Sequence, residues 1–179
     1  MAEQFSNSLT RAAGIVTSSS GGAIGITTNL ITGISTALVN VGDIVDNGNF
    51  LGGSKISSLG AGQVVVDRNS TNITSTSSQI IRFLGVTTAY TSPALTKSVL
   101  IGGTFANNTN NNVNLIVEIK DNSTGVTAAL ANKIPVPSGS SFVISDTGKT
   151  LLEASDELRV YCDTADAVDV NLSILTGVS

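Results

Sequence analysis

Asp146-Thr147-Gly148 carries the Asp-Thr-Gly order of aspartic proteases, in which two carboxylates share one proton. Lys149 stands where that chemistry needs a small residue, and no apolar-apolar-Gly segment of the required kind follows, so the triplet reads as a β-turn. Asp43, Asp46, Asn47 and Asn49 lie close enough along the chain to offer oxygens to calcium, which takes roughly six to eight of them. They lack the full loop spacing and the bidentate Glu that closes such a loop, and turn chemistry accounts for them. Asp163, Asp166 and Asp169 form a second acidic cluster beside the last strand and read as a solvated loop. Cys162 falls in phase with Leu158 and Val160, the position of a small buried hydrophobe rather than a nucleophile. The chain contains no histidine, so histidine-based activation is excluded. Gly21-Gly22 and Gly102-Gly103 lack the Gly-Lys-Ser/Thr of a phosphate loop and the spacing of a dinucleotide fingerprint, and read as flexible or closely approached backbone. No catalytic, cofactor-binding or metal-binding residue is assigned, and no cofactor is expected.

The elements that carry these residues are strands. Val168-Asp169-Val170-Asn171-Leu172-Ser173-Ile174 alternates strictly, placing Val168, Val170, Leu172 and Ile174 on one face of a pleated strand and the polar residues on the other. Val113, Leu115, Val117 and Ile119 behave in the same way, as do Leu158, Val160 and Cys162, with Tyr161 out of phase with the core. Ser98 to Phe105 and Phe142-Val143-Ile144 read as further strands. Pro135 and Pro137 confine Ile134-Pro135-Val136-Pro137 to a sheet edge or a connection. The expected fold is all-β, with a C-terminal antiparallel sandwich of immunoglobulin-like or jelly-roll type over residues 86–179. Short apolar bursts between turn residues over 14–85, among them Ile24-Gly25-Ile26, Val64-Val65-Val66 and Ile80-Ile81-Arg82-Phe83, predict a small all-β unit. Asp46-Asn47-Gly48-Asn49 and Gly52-Gly53 are its expected positive-φ turns. Residues 1–13 lack a strong period and are expected to form an arm or a short helix, ordered only by a partner. Val86 to Tyr90, with Thr91-Ser92-Pro93, is expected to be a joint.

Composition narrows the role. Aromatics make up 4% of the 179 residues and charged residues 12%, so the core is aliphatic and the surface is built from Ser, Thr, Asn and Gly. Such a surface suits packing into an assembly, because covering Ser or Asn costs far less desolvation than covering Lys. A net charge of −4 with scattered basic residues argues against nucleic acid, and the apolar runs are too short to span a bilayer. With one cysteine, and no basic and then apolar leader at the start, synthesis in a cytoplasm is expected.

Two stretches carry a resemblance. Val41-Gly42-Asp43-Ile44-Val45, Ile56-Ser57-Ser58-Leu59, Val64-Val65-Val66-Asp67 and Thr71-Asn72-Ile73-Thr74 together look like a module of tailed-phage virion proteins. The run from Val99-Leu100-Ile101-Gly102-Gly103 through Ile134-Pro135-Val136-Pro137-Ser138-Gly139-Ser140-Ser141 to Leu152-Glu153-Ala154-Ser155-Asp156-Glu157-Leu158-Arg159-Val160 is similar to a β-sandwich of virion accessory proteins, especially of phages of aquatic bacteria such as cyanophages. The resemblance implies a non-enzymatic structural protein at the capsid surface, neck, collar or tail. It also implies other virion proteins and copies of itself as partners, and a place in the virion after synthesis in the host cytoplasm. The alternative is a receptor- or carbohydrate-binding fibre component, which requires exposed aromatics for stacking on sugars.

Overall fold

The computed structural model describes residues 3–144 and 149–178, and the described residues form strands without any helix. In chain order the first are β1 (Gln4–Ala13), β2 (Ile15–Ile24), β3 (Leu30–Thr32), β4 (Ile44–Asp46), β5 (Ile56–Gly60), β6 (Gln63–Val66) and β7 (Thr76–Gly85). They continue as β8 (Thr87–Thr91), β9 (Lys97–Asn107), β10 (Val113–Lys120) and β11 (Thr127–Val136). The last are β12 (Ser141–Ile144), β13 (Thr150–Leu152), β14 (Glu157–Cys162) and β15 (Val168–Val178). Two compact units divide the chain: Ile15–Val86 is one, and Met1–Gly14 with Thr87–Ser179 is the other.

The larger unit is a sandwich. One sheet runs β1-β15-β9-β12, with β13 also paired to β9, and the other runs β11-β10-β14-β8. Treating β12 and β13 as one position along β9, the first position pairs with the last, the second (β8) with the seventh (β14), the third (β9) with the sixth and the fourth (β10) with the fifth (β11). That is a long antiparallel hairpin rolled into two sheets, the jelly roll, and not the immunoglobulin pairing. The alternation of β15 is what places it at the centre: Val168, Val170, Leu172 and Ile174 are all buried and face Leu115, Val117, Leu158 and Val160 of the other sheet in one core. Phe105 joins them with Phe142, ring centroids 6.0 Å apart. Opposite Leu172 the pairing residue is Gly103, where a Cβ would come within 2.8 Å of Leu172 Cδ2. This glycine is therefore closely approached backbone. β11 forms a sheet edge, which is how Pro135 is tolerated opposite Asn114.

Two expectations need correction here. Residues 4–13 are not an arm or short helix awaiting a partner but strand β1, in register with β15 from Gln4 opposite Thr176 to Ala13 opposite Val168. Backbone pairing supplies what apolar density does not. The core-side positions Ser8 and Thr10 both donate their hydroxyls to the Ala89 carbonyl, at 3.0 and 3.4 Å. The expected joint at 86–93 is largely strand β8, paired with β14. Its Thr-Thr-Ala-Tyr-Thr sequence is β-prone, and as an edge strand it buries only Ala89 deeply.

Buried polar groups fasten the loops of this unit. Asp156 accepts the N–H groups of Glu153 (2.9 Å) and Asn122 (3.1 Å) on its two carboxylate oxygens, and its carbonyl accepts the Ser92 N–H. Asn107 is 4% exposed; its Nδ2 donates to the Asn111 and Val136 carbonyls at 2.8 and 2.9 Å, and its Oδ1 accepts the Thr109 N–H and hydroxyl. This side chain uses its full bonding capacity. Asn107→Asp, nearly isosteric, would turn a carboxylate oxygen toward two carbonyls. It should lower stability by about 3 kcal/mol, read as a drop in thermal midpoint. An unchanged midpoint would show that the two bonds donated by Nδ2 contribute nothing.

The smaller unit is a six-stranded antiparallel sheet in the order β4-β7-β2-β3-β6-β5. Its ends meet. Ile44 bridges Lys55, the Val45 N–H donates to the Ser54 carbonyl at 2.8 Å, and the Ile56 N–H donates to the Asp43 carbonyl at 2.9 Å. The sheet thus closes on itself around Ile44 and Lys55 into a small barrel, and β4 is no longer a free edge there. Ile24, Ile31, Val45, Phe50, Val64 and Phe83 are among the side chains that fill it. Of the glycines expected at positive φ in this unit, Gly53 adopts it (81°), whereas Asn47 turns the chain by accepting the Asn49 N–H on its own Oδ1 at 3.0 Å.

Candidate functional site

The carboxylates with any claim to an ion are engaged locally. Asp43 Oδ2 accepts the Asn40 N–H at 2.8 Å. Asp46 pairs across the strand with Arg82 at 3.4 Å, and Asn49 offers its carbonyl, not its side chain, to Thr71. Asp163 grips Asn114 through both oxygens, at 2.9 Å to its N–H and 2.7 Å to its Nδ2. Asp169 accepts the Ala12 N–H at 2.9 Å, and Asp166, at φ 54°, donates its own N–H to the Gly14 carbonyl. Neither cluster converges on a point, and among the described residues no group of three or more His, Cys, Asp or Glu is placed to hold a metal. Asp146-Thr147-Gly148 lies outside the described residues. Cys162 is fully buried in the jelly-roll core.

Two aspartates are tuned in opposite directions. Burial holds the Asp43 carboxyl above its ordinary value of 3.8, with the Asn40 N–H working against it. The hydroxyls of Ser123 and Thr124, with their N–H groups, bring Asp121 down to about 2. Linkage then gives opposite signs. Asp121 contributes stability above its ordinary value that fades as pH falls toward about 2. Asp43 is stabilising when protonated, and that contribution is lost as pH rises from 3.8 through its raised value. An NMR titration of side-chain carboxyls should find Asp121 last to protonate and Asp43 ahead of the ordinary aspartates. A shared midpoint for the two would contradict this account.

What remains is a surface rather than a pocket of reactive groups. On the outer face of the β1-β15-β9-β12 sheet, pairing sets Phe5, Leu175, Val99 and Leu151 in one row across four strands. A parallel row holds Leu9, Asn171, Thr104 and Val143. Phe5 is 63% exposed and Leu9 74%. Between Leu9, Arg11, Thr104, Ala106 and Asp169 lies an open hollow of about 410 Å³. Its one carboxylate is already bonded to Ala12. Among the described residues no nucleophile and base meet there. Sequence reasoning passed over this face because β1 reverses the usual pattern, with apolar residues outward and hydroxyls inward. The signal was the alternation of Phe5, Asn7, Leu9 and Arg11 against Gln4, Ser6, Ser8 and Thr10.

Aromatic platforms for sugars are sparse. Phe50, Phe83 and Phe105 are buried. Tyr161, expected to be out of phase with the core, is buried as well, and the Tyr90 hydroxyl bonds Ser98 Oγ at 2.9 Å. No helix is long and apolar enough to cross a membrane among the described residues.

No protein-family model matches the sequence, and no curated protein does. Two solved structures of infectious bursal disease virus are similar to the chain. One, of the T13 viral particle, is 11% identical over 94% of this chain and 70% of that chain, with a TM-score of 0.32. The other, of the Gt strain, is 12% identical over 96% of this chain and 55% of that chain, with a TM-score of 0.31.

Proposed function

We propose that this protein is a non-enzymatic structural component of a virus particle, specifically of a tailed phage, assembling at its capsid surface, neck, collar or tail with other virion proteins and with copies of itself. The observation that carries the reading is the jelly roll whose outer sheet face presents mainly uncharged polar and apolar side chains, with Arg11 and Asp169 beside the hollow. Jelly rolls build viral shells as well as lectins and cupins. An outward face of this composition favours the first of these uses, since it is cheap to desolvate and holds no convergent chemistry. The carbohydrate-binding alternative is left with Phe5 as the one exposed aromatic side chain among the described residues. Protein composition and a density map of the purified particles test the proposal. Copies at symmetry-related positions with their outer faces covered are the expected result. Absence from the particle, or binding to a glycan array through Phe5, would overturn it.

A further inference from the structure

β1 is the edge of its sheet, and no strand pairs its far side among the described residues. Long exposed edges are normally protected by charged side chains, above all lysine, by proline or by an early bulge. Between Gln4 and Thr10 β1 has none of these: its charges, Glu3 and Arg11, stand at the two ends, and the register with β15 shifts only near Ala12, at φ 57°. Its sequence has a further property. Read about Asn7, Glu3-Gln4-Phe5-Ser6-Asn7-Ser8-Leu9-Thr10-Arg11 is a chemical palindrome: Glu3 mirrors Arg11, Gln4 mirrors Thr10, Phe5 mirrors Leu9 and Ser6 mirrors Ser8.

We propose that β1 pairs edge to edge with β1 of a second copy, antiparallel about a two-fold axis through Asn7, so that two five-stranded sheets become one. A two-fold axis perpendicular to the sheet sets outward residues opposite outward residues, as an isologous contact requires. In this register exposed Phe5 meets exposed Leu9 of the partner on the outer face, twice. Glu3 and Arg11, both exposed, meet as opposite charges at each end. Shifting the register by two residues sets Phe5 against Asn7 or against Arg11, and separates the charges. The apolar row of Phe5, Leu175, Val99 and Leu151 then runs on through Leu9 of the partner. Main-chain hydrogen bonds supply the affinity and the side-chain pairs supply the register, the logic of strand addition.

This inference names the partner within the assembly reading and rests on that reading for its biological role, but its test uses the isolated full chain. The wild-type protein should sediment as a concentration-dependent dimer. Glu3→Arg or Arg11→Glu alone sets like charges together at both ends, and each should weaken the dimer roughly tenfold or more while leaving the melting temperature of the dilute, monomeric chain unchanged. Mixing the two variants restores both opposite-charge pairs in a heterodimer and should recover the wild-type affinity. Asn7→Cys should cross-link to itself under mild oxidation, because directly opposed residues lie about 4.5–5.5 Å apart at Cα. Leu9→Cys should not, its two copies lying roughly 13 Å apart along the strands. A strictly monomeric chain with no Asn7→Cys cross-link would overturn the pairing and leave the virion reading standing. A dimer unaffected by either charge reversal would overturn the register. A dimer with every predicted property, in a protein missing from the particle, would overturn the virion reading alone.

Discussion

Val170→Asp is expected to unfold the jelly roll, while Asn171→Asp, one residue along the same strand, is expected to leave it intact. Val170 is 2% exposed, in register with Thr10 on one side and Phe105 on the other, so its side chain points between the two sheets. The Thr10 hydroxyl beside it is already given to the Ala89 carbonyl, and the rest of its surroundings are the apolar core. The chain must bury the charge, protonate it, or open the sheet, and the least of these costs about 4–5 kcal/mol. Domains of this size hold only about 5–15 kcal/mol in total. Asn171 is exposed on the opposite face, opposite Leu9 and Thr104, where one more charge is solvated. Thermal melts of the two variants check this: loss of the cooperative transition for the first and a shift within about 0.5 kcal/mol for the second. Equal melting would mean that the strand runs in the other phase.

The phase of β15, β10 and β14 was legible because each is covered on its inner face by the facing sheet, and a period of two is the direct imprint of that geometry. The elements that escaped have weaker imprints. β8 buries Ala89, and a single small residue leaves no period to detect. Closure of the barrel depends on the carbonyls of Ser54 and Asp43, which every residue type possesses. The same holds for the choice between immunoglobulin-like and jelly-roll pairing. Alternation says which face of a strand is inward, and nothing about which strand lies beside it. The candidate surface was hidden for a related reason. Phe5, Val99, Leu151 and Leu175 are distant in sequence, and become one row only when the register of three strand pairs is known. Of the acidic clusters, only Asp43 and Asn47 make the two- to three-residue bonds that local spacing suggests, whereas Asp46, Asp163 and Asp169 bond residues far off along the chain, which spacing does not reveal.

Removing residues 1–13 is expected to abolish the cooperative melt of the jelly roll, the opposite of what a detachable arm would do. β1 lies along β15 for most of its length, and its loss would turn β15 from an internal strand into an edge. It would also remove fully buried Ala13, whose carbonyl accepts the Ala167 N–H, and the Ser8 and Thr10 hydroxyls that meet the Ala89 carbonyl. The inner-face side chains Val170, Leu172 and Ile174 would then meet water along one flank. Each main-chain bond contributes about 1 kcal/mol net, and each newly wetted aliphatic side chain forfeits part of the about 1.5–3 kcal/mol its burial supplies. The sum rivals the whole stability of a domain, about 5–15 kcal/mol. Hydrogen exchange separates this from a loss confined to the terminus: the amides of β15 and β9 should lose their protection together. If β9 stays protected and the melt keeps its midpoint, β1 is an accessory to the fold, held on the sheet without supporting it, and its hydrogen bonds to β15 and Ala89 carry no weight in the stability of the core.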